Sequence, residues 1–274
     1  SQGGDRMSPG ATVDPWDFRR GAMVYPQPVA IACSRLLRAR TPQERVDACL
    51  KGAEILTRYL SAVSLSSIAA REESSPIPTL EPLSGPLSFG HFLALVQAVA
   101  KCDGHPLYPQ LAGLRPKEKG KQKRQGVADE ALLKLLELRN NLGHDLNTLG
   151  KARAETILNQ KKPEQAFRDA LKALDGFLSL PLFLVDNVML EKKRIIAQRL
   201  LLMGDSLDPV PETIELSEGL DRLTPCVAVG ARVLVLPPML LYVLVEERQA
   251  YRLVLLDAVG EGDIRYKTLE STVV

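Results

Sequence analysis

Residues 127–144 read VADEALLKLLELRNNLGH, and this stretch organises the rest of the chain. Leu, Ala and Lys dominate its first part and predict a helix of roughly 14–16 residues, about 21–24 Å long. Arg139, Asn140, Gly143 and His144 are an unusual set for merely ending a helix. Arg139 and His144 point about 140° apart on an ideal helix, so they do not share a face. Gly143 permits a bend just before His144 that would bring both side chains to one pocket.

Helical patterns surround this stretch. TPQE at Thr41–Glu44 predicts a capping box with Pro42 at the first helical position, followed by a long helix to about residue 70. Ser88 is a candidate cap for the next helix, and Pro163 marks a break in the helical pattern of residues 151–180. We therefore predict an irregular segment over 1–25 and a helical bundle over 26–180.

The pattern changes after Pro181 to short runs of Val, Leu, Ile and Tyr separated by turn residues. YVLVEERQAYRLVLL predicts a β-hairpin, and AVGEGDIRYKTL predicts the turn and strand that extend it. The fold class expected is α+β, with a helical bundle followed by a small β-rich domain over 182–274. We expect that domain to serve interaction, with the bundle or with a partner.

Composition excludes several classes of function. The chain has 274 residues, a formal net charge of +2 and 5% aromatic residues, so it is neither polybasic nor rich in base-stacking side chains. Its four cysteines form no CxxC pair, which argues against zinc and for buried thiols in a reducing cytoplasm. No signal peptide, membrane span, phosphate loop or dinucleotide motif is present in the sequence. We expect a cytoplasmic protein with no metal and no cofactor.

An Arg and a His close together suit the cleavage of RNA without a metal. The 2′-OH of RNA attacks the adjacent phosphate when a base, an acid and a cation are supplied. His serves as base or acid near neutral pH, and the guanidinium fork of Arg matches phosphate oxygens. Two protomers facing each other across a two-fold axis would supply two of each to one composite site.

RNNLGH resembles the Arg–polar–x–x–x–His motif of HEPN-domain proteins, helical bundles common in toxin–antitoxin, CRISPR-associated and anti-phage systems. The resemblance covers only the helical part. It implies a metal-independent endoribonuclease active as a homodimer, with Arg139 and His144 catalytic and Asn140 as the polar residue after the Arg. It also implies an RNA substrate and cyclic-phosphate ends. The family fold does not require the β-rich domain, through which we expect an antitoxin or a larger effector to bind as a further partner.

Two alternatives to catalysis remain open. Many HEPN-domain proteins are nuclease-dead, so the bundle is equally interpreted as a silent dimerisation or sensing module of a larger protein. In the plainest interpretation, Asn141 and Gly143 only end the helix, Arg139 is solvated, and His144 interacts with the helix dipole.

A basic stretch over 115–126 offers a separate RNA contact. Its cations are Lys117, Lys119, Lys121, Lys123 and Arg124. They suit RNA phosphates or, more simply, a solvated flexible loop, and they precede the motif helix at the end far from His144. A third hypothesis is thus RNA binding without cleavage.

His91, in the first turn of a helix, is expected to be a neutral packing residue rather than a catalyst, and His105 is expected in a loop.

Overall fold

The computed structural model describes residues 17–71, 85–119, 122–206, 209–216 and 219–270. Its α-helices are α1 (Phe18–Val24), α2 (Gln27–Arg38), α3 (Pro42–Ala69), α4 (Phe89–Lys101), α5 (Val127–Leu142), α6 (Lys151–Gln160), α7 (Pro163–Ala173) and α8 (Asp175–Leu178). Short 3₁₀ turns cover Ala112–Leu114, Gly143–Thr148 and Glu246–Arg248. The strands are β1 (Gly85–Pro86), β2 (Lys117–Lys119), β3 (Gln122–Arg124), β4 (Leu182–Glu191), β5 (Arg194–Leu201), β6 (Val210–Leu216), β7 (Pro225–Val229), β8 (Arg232–Val235), β9 (Leu240–Val245), β10 (Ala250–Val259) and β11 (Ile264–Thr268). Helices followed by antiparallel sheets confirm the α+β class.

The helix α3 is the centre of the helical part. Thr41 and Glu44 form the predicted capping box: the Thr41 hydroxyl accepts from the Glu44 backbone N–H at 3.1 Å, and the Glu44 carboxylate accepts from the Thr41 N–H at 3.1 Å. With 28 residues the helix is about 42 Å long. It packs against α2, α4, α5, α6 and α7 and against strands β8 and β10. Most of its surface is therefore buried.

Two antiparallel sheets follow the helices. The five-stranded sheet has the order β6-β5-β4-β7-β8. The four-stranded sheet has β10 at its centre, paired with β1, β9 and β11. The predicted hairpin is confirmed as β9–β10, with Ala250 opposite Val245, and β11 extends it as expected.

One hydrophobic core crosses the boundary between helices and strands. It contains α3 and α5 side chains together with Leu240, Leu255 and Leu269 of the β part. The five-stranded sheet has a second, smaller core made of Phe183, Val185, Ala197, Leu216 and Cys226. The change of secondary structure near residue 181 thus does not divide the main core.

Three expectations on local structure were wrong. Residues 18–24 form α1 instead of irregular chain, because Asp17 caps the helix by accepting from the Arg20 backbone N–H at 2.9 Å. The basic stretch forms the hairpin β2–β3 within the described residues, with Lys117 opposite Arg124. His91 does not pack in the core: it is exposed, and its Nδ1 accepts from the Ser88 backbone N–H at 3.0 Å, which completes a second capping box.

The cysteines are all free, as expected. Cys33, Cys49 and Cys226 are buried, and burial raises the pKa of the Cys33 and Cys226 thiols to about 12. Within the described ranges, no helix is both long enough and apolar enough to cross a membrane.

Candidate active site

The motif lies where α5 ends. Leu132, Leu135, Leu138 and Leu142 bury one side of α5 in the main core, and the helix stops at Leu142. Gly143 follows with φ 47° and ψ −124°, a conformation that is open essentially only to glycine. The 3₁₀ turn Gly143–Thr148 then carries His144 away from the helix axis. This bend confirms the predicted departure from helical geometry just before His144.

The bend brings the Arg139 side chain back to the chain beside His144. Arg139 is half-buried, and its Nη1 donates to the carbonyl oxygen of Gly143 at 3.3 Å. That carbonyl belongs to the peptide bond that joins Gly143 to His144. The guanidinium therefore lies at the carbonyl of Gly143, the residue that precedes His144 in the chain. Arg139 is also not simply solvated, as the plainest interpretation of the motif required.

Arg139 faces a pocket of about 200 Å³ with walls from three parts of the fold. The helix α3 forms one wall, α5 and the following 3₁₀ turn form the second, and the four-stranded sheet with the residue after β11 forms the third. The lining residues are Lys51, Glu54, Ile55, Arg58, Arg139, Leu146, Leu255, Lys267, Thr268 and Leu269. This volume is smaller than the roughly 300–1,000 Å³ that is typical of small-molecule sites. It is large enough for a single phosphoryl group and part of the attached sugar.

Ion pairs engage the other cations of the pocket. Lys51 contacts Asp47 at 2.9 Å, and Lys267 contacts Asp257 at 2.9 Å. Among the residues that the structure describes, Arg139 is in contact with no carboxylate. Within the described part of the chain, the Gly143 carbonyl is the hydrogen-bond acceptor of its guanidinium, which has five N–H donors in all.

Arg58 holds the wall of the pocket together. Its side chain is only 6% exposed, and its guanidinium donates to Glu54 at 2.9 Å, to Asp257 at 3.2 Å and to the Leu256 carbonyl at 2.5 Å. It also lies over the Phe92 ring, 4.6 Å from the centroid. Because these bonds satisfy its charge, Arg58 fixes β10 to α3 and is a structural residue.

Sequence reasoning did not find Arg58, although a signal was present. The stretch ILTRYLSAV at 55–63 is an otherwise uncharged part of a buried helix, and a lone Arg there requires a buried partner. Glu54, four residues earlier, is one such partner on the same helix face. The other partner, Asp257, follows 199 residues later and has no local signal.

The other motif residues lie outside the pocket lining or outside the described side chains. Asn140 is exposed on α5, does not line the pocket, and makes no hydrogen bond to Arg139. Asn141 instead lines a separate groove between α5 and α7. For His144 the structure describes the backbone alone.

The basic hairpin is at the opposite end of α5. It precedes the first turn of α5, so about 18 Å of helix, from Val127 to Arg139, separates it from the pocket. Lys117 and Arg124 are exposed there. Lys121 lies outside the described residues, as do the side chains of Lys119 and Lys123.

The remaining histidine is not placed for chemistry. His105 is buried beneath the end of α4, and its Nδ1 shares a 2.8 Å hydrogen bond with Ser67 Oγ. Burial lowers the pKa of His105, with Arg71 and Arg115 acting in the same direction. In the described portion, no group of His, Cys, Asp and Glu is arranged to hold a metal ion.

Comparison with known proteins gives this site no precedent. No family model, curated protein or solved structure matches the chain.

Proposed function

We propose that this chain is a HEPN-like endoribonuclease that cuts RNA without a metal, as a homodimer in a bacterial defence system. The observation that supports it is the bend at Gly143, where the Arg139 guanidinium bonds to the carbonyl of the residue that precedes His144. Arg139 binds the scissile phosphate and stabilises the charge that develops on it. His144 transfers the proton of the 2′-OH or of the leaving 5′-oxygen.

The dimer supplies the second proton-transfer group. Cleavage by 2′-OH attack needs a base and an acid, and each protomer carries one motif histidine. A two-fold arrangement presents two copies of His144 to one RNA strand. The expected products carry a 2′,3′-cyclic phosphate and a 5′-hydroxyl. Asn140, exposed beside Arg139, is proposed to contact the RNA or the second protomer, and an antitoxin or effector is a further proposed partner.

A cleavage assay tests this proposal. Wild-type protein, Arg139→Ala and His144→Ala are incubated with total RNA in EDTA, and the 3′ ends are identified by mass spectrometry. We expect both variants to lose about 100-fold or more of the wild-type rate, the usual cost of removing an acid–base or charge-stabilising group. Lys134→Ala is the matched control, because it removes an exposed cation of α5 whose partner is Glu130. Activity that requires a metal, or that survives in both variants, contradicts the mechanism.

A second candidate is a catalytically silent dimerisation or sensing module. The observation in its favour is that Arg139 bonds to its own chain and lines a pocket closed by the four-stranded sheet. In that case Arg139 completes the helix end and the wall of the pocket. Wild-type protein would then leave RNA intact while still dimerising, and Arg139→Ala would lower the melting temperature without any change in RNA.

A further inference from the structure

We infer that the pocket at Arg139 is a binding site for one phosphodiester of an RNA chain, completed by Lys267 from the β part and Lys51 from α3. This inference rests on the proposed function and extends it. It makes the β part a contributor to the substrate site, whereas the motif lies entirely within the helical part.

Charge identifies the ligand class. The pocket and its direct ion-pair partners contain four cations and three carboxylates, and each carboxylate is bonded to a cation other than Arg139. One positive charge is therefore uncompensated in a partly buried site. A phosphodiester carries one negative charge, whereas a terminal phosphate carries about −1.5 to −2 at neutral pH. The excess matches an internal phosphate of a nucleic acid better than a free nucleotide.

Each of the two lysines that line the pocket uses one N–H donor in an ion pair and has further donors for a ligand. Lys267 is 39% exposed and gives one of its three N–H donors to Asp257. Lys51 is 48% exposed and gives one to Asp47. Together with the guanidinium of Arg139 they surround the cavity from all three of its walls. Each bond to an anionic oxygen here is charge-assisted and stronger than its neutral equivalent.

The remaining surface of the pocket suits a ribose. Ile55, Leu146, Leu255 and Leu269 contribute apolar side chains to the lining. The volume of about 200 Å³ holds a phosphate and part of a sugar but leaves a base outside. Recognition at this site is thus of the backbone, independent of base sequence.

Binding of an uncleavable RNA tests the inference separately from catalysis. The probe is a fluorescent 2′-O-methyl RNA 12-mer, followed by anisotropy at several salt concentrations on the full chain. We expect Lys267→Gln and Lys51→Gln each to weaken binding about 3- to 10-fold and to reduce the slope of log Kd against log salt by about 0.7, the value for one single-strand phosphate contact. Lys134→Gln, on the exposed side of α5, is expected to bind like wild type.

Two further measurements decide between the explanations. AMP and inorganic phosphate are tested in separate experiments as competitors of the 12-mer. If either displaces the 12-mer at micromolar concentration, the ligand of the pocket is a free phosphate compound and the inference of an RNA phosphodiester is wrong. Lys267 also pairs with Asp257, so Lys267→Gln could lower the melting temperature for a structural reason. In that case the inference is judged on Lys51→Gln, whose partner Asp47 lies on the same helix.

Failure of this inference is distinct from failure of the proposed function. If both lysine variants bind like wild type while cleavage still depends on Arg139 and His144, the composite site is wrong and the nuclease proposal stands. If the lysine variants lose binding but wild-type protein never cuts RNA, the phosphodiester site stands and the nuclease proposal is wrong.

Discussion

The two sheets are attached to the helices in different ways. The four-stranded sheet packs on α3 through β10, belongs to the main core, and lines the pocket at Arg139. The five-stranded sheet also contacts α3 through β8 and contributes Leu184, Val227 and Leu234 to the main core, but it has a second, small core of its own. The outer half of its strand β4 is exposed at Val188, Met189 and Leu190. We conclude that the four-stranded sheet is part of the candidate site, while the five-stranded sheet joins the main core without lining that pocket.

The largest expected effect is on the bond between α3 and the four-stranded sheet. Arg58→Leu removes the cation that Glu54 and Asp257 share, in a site where Asp257 is 14% exposed and keeps its contact with Lys267. Removing one partner of such a buried pair costs about 3–5 kcal/mol, measured as the free energy of unfolding in urea. The matched change in the five-stranded sheet is Arg222→Leu, which removes the ion pair between Arg222 and Asp186. Because the Arg222 side chain is exposed, we expect the loss of this pair to cost under about 1 kcal/mol. Equal losses in the two variants would refute the difference between the sheets.

A smaller effect is expected at the glycine that bends the motif. Gly143→Ala meets no atom within 4 Å, so its cost is purely conformational, about 1–3 kcal/mol for an alanine held at this φ and ψ. Gly230 is the matched position in the five-stranded sheet, with φ 60° and open space around it. We expect both alanine variants to be destabilised in thermal melts, but only Gly143→Ala to lose RNA cleavage. Loss of cleavage in both would mean that stability, and not the geometry of the bend, sets the activity.

Thiol labelling compares the two cores with the smallest perturbation. Cys33 lies in the main core and Cys226 in the small core, and burial raises the pKa of both thiols to about 12, so both are protonated near neutral pH while buried. Their labelling rates under native conditions then report how often each core opens. We expect Cys226 to react at least tenfold faster than Cys33, and the partly exposed Cys102 to react before either. Labelling of Cys33 and Cys226 at one common rate would show that the two cores open together.

Features with local causes were predictable from the sequence. The α3 capping box, the end of α5 at Leu142 and the β9–β10 hairpin each depend on a few adjacent residues. The bend at Gly143 belongs to the same group, because glycine alone accepts its backbone angles. In each case a local interaction, such as a cap, a turn or a backbone angle, determines where the element begins or ends.

Features that require distant contacts were not predictable. The bonds of Arg58 to Asp257 and the pocket between α3 and β11 join segments about two hundred residues apart, so no periodicity records them. The helix α1 was missed for a different reason. Its seven residues are too few to establish a 3.6-residue period, and only the Asp17 cap signals its beginning.

The composition of the pocket also has a consequence in time. Arg139 leaves the ribosome 128 residues before Lys267, which at a synthesis rate of about 5–20 residues per second is a delay of roughly 10 s. During that interval the nascent chain already contains Arg139 but lacks β11, which forms part of the third wall of the pocket. For the function proposed above, we expect that RNA binding at this pocket begins only after β11 has been made and has docked.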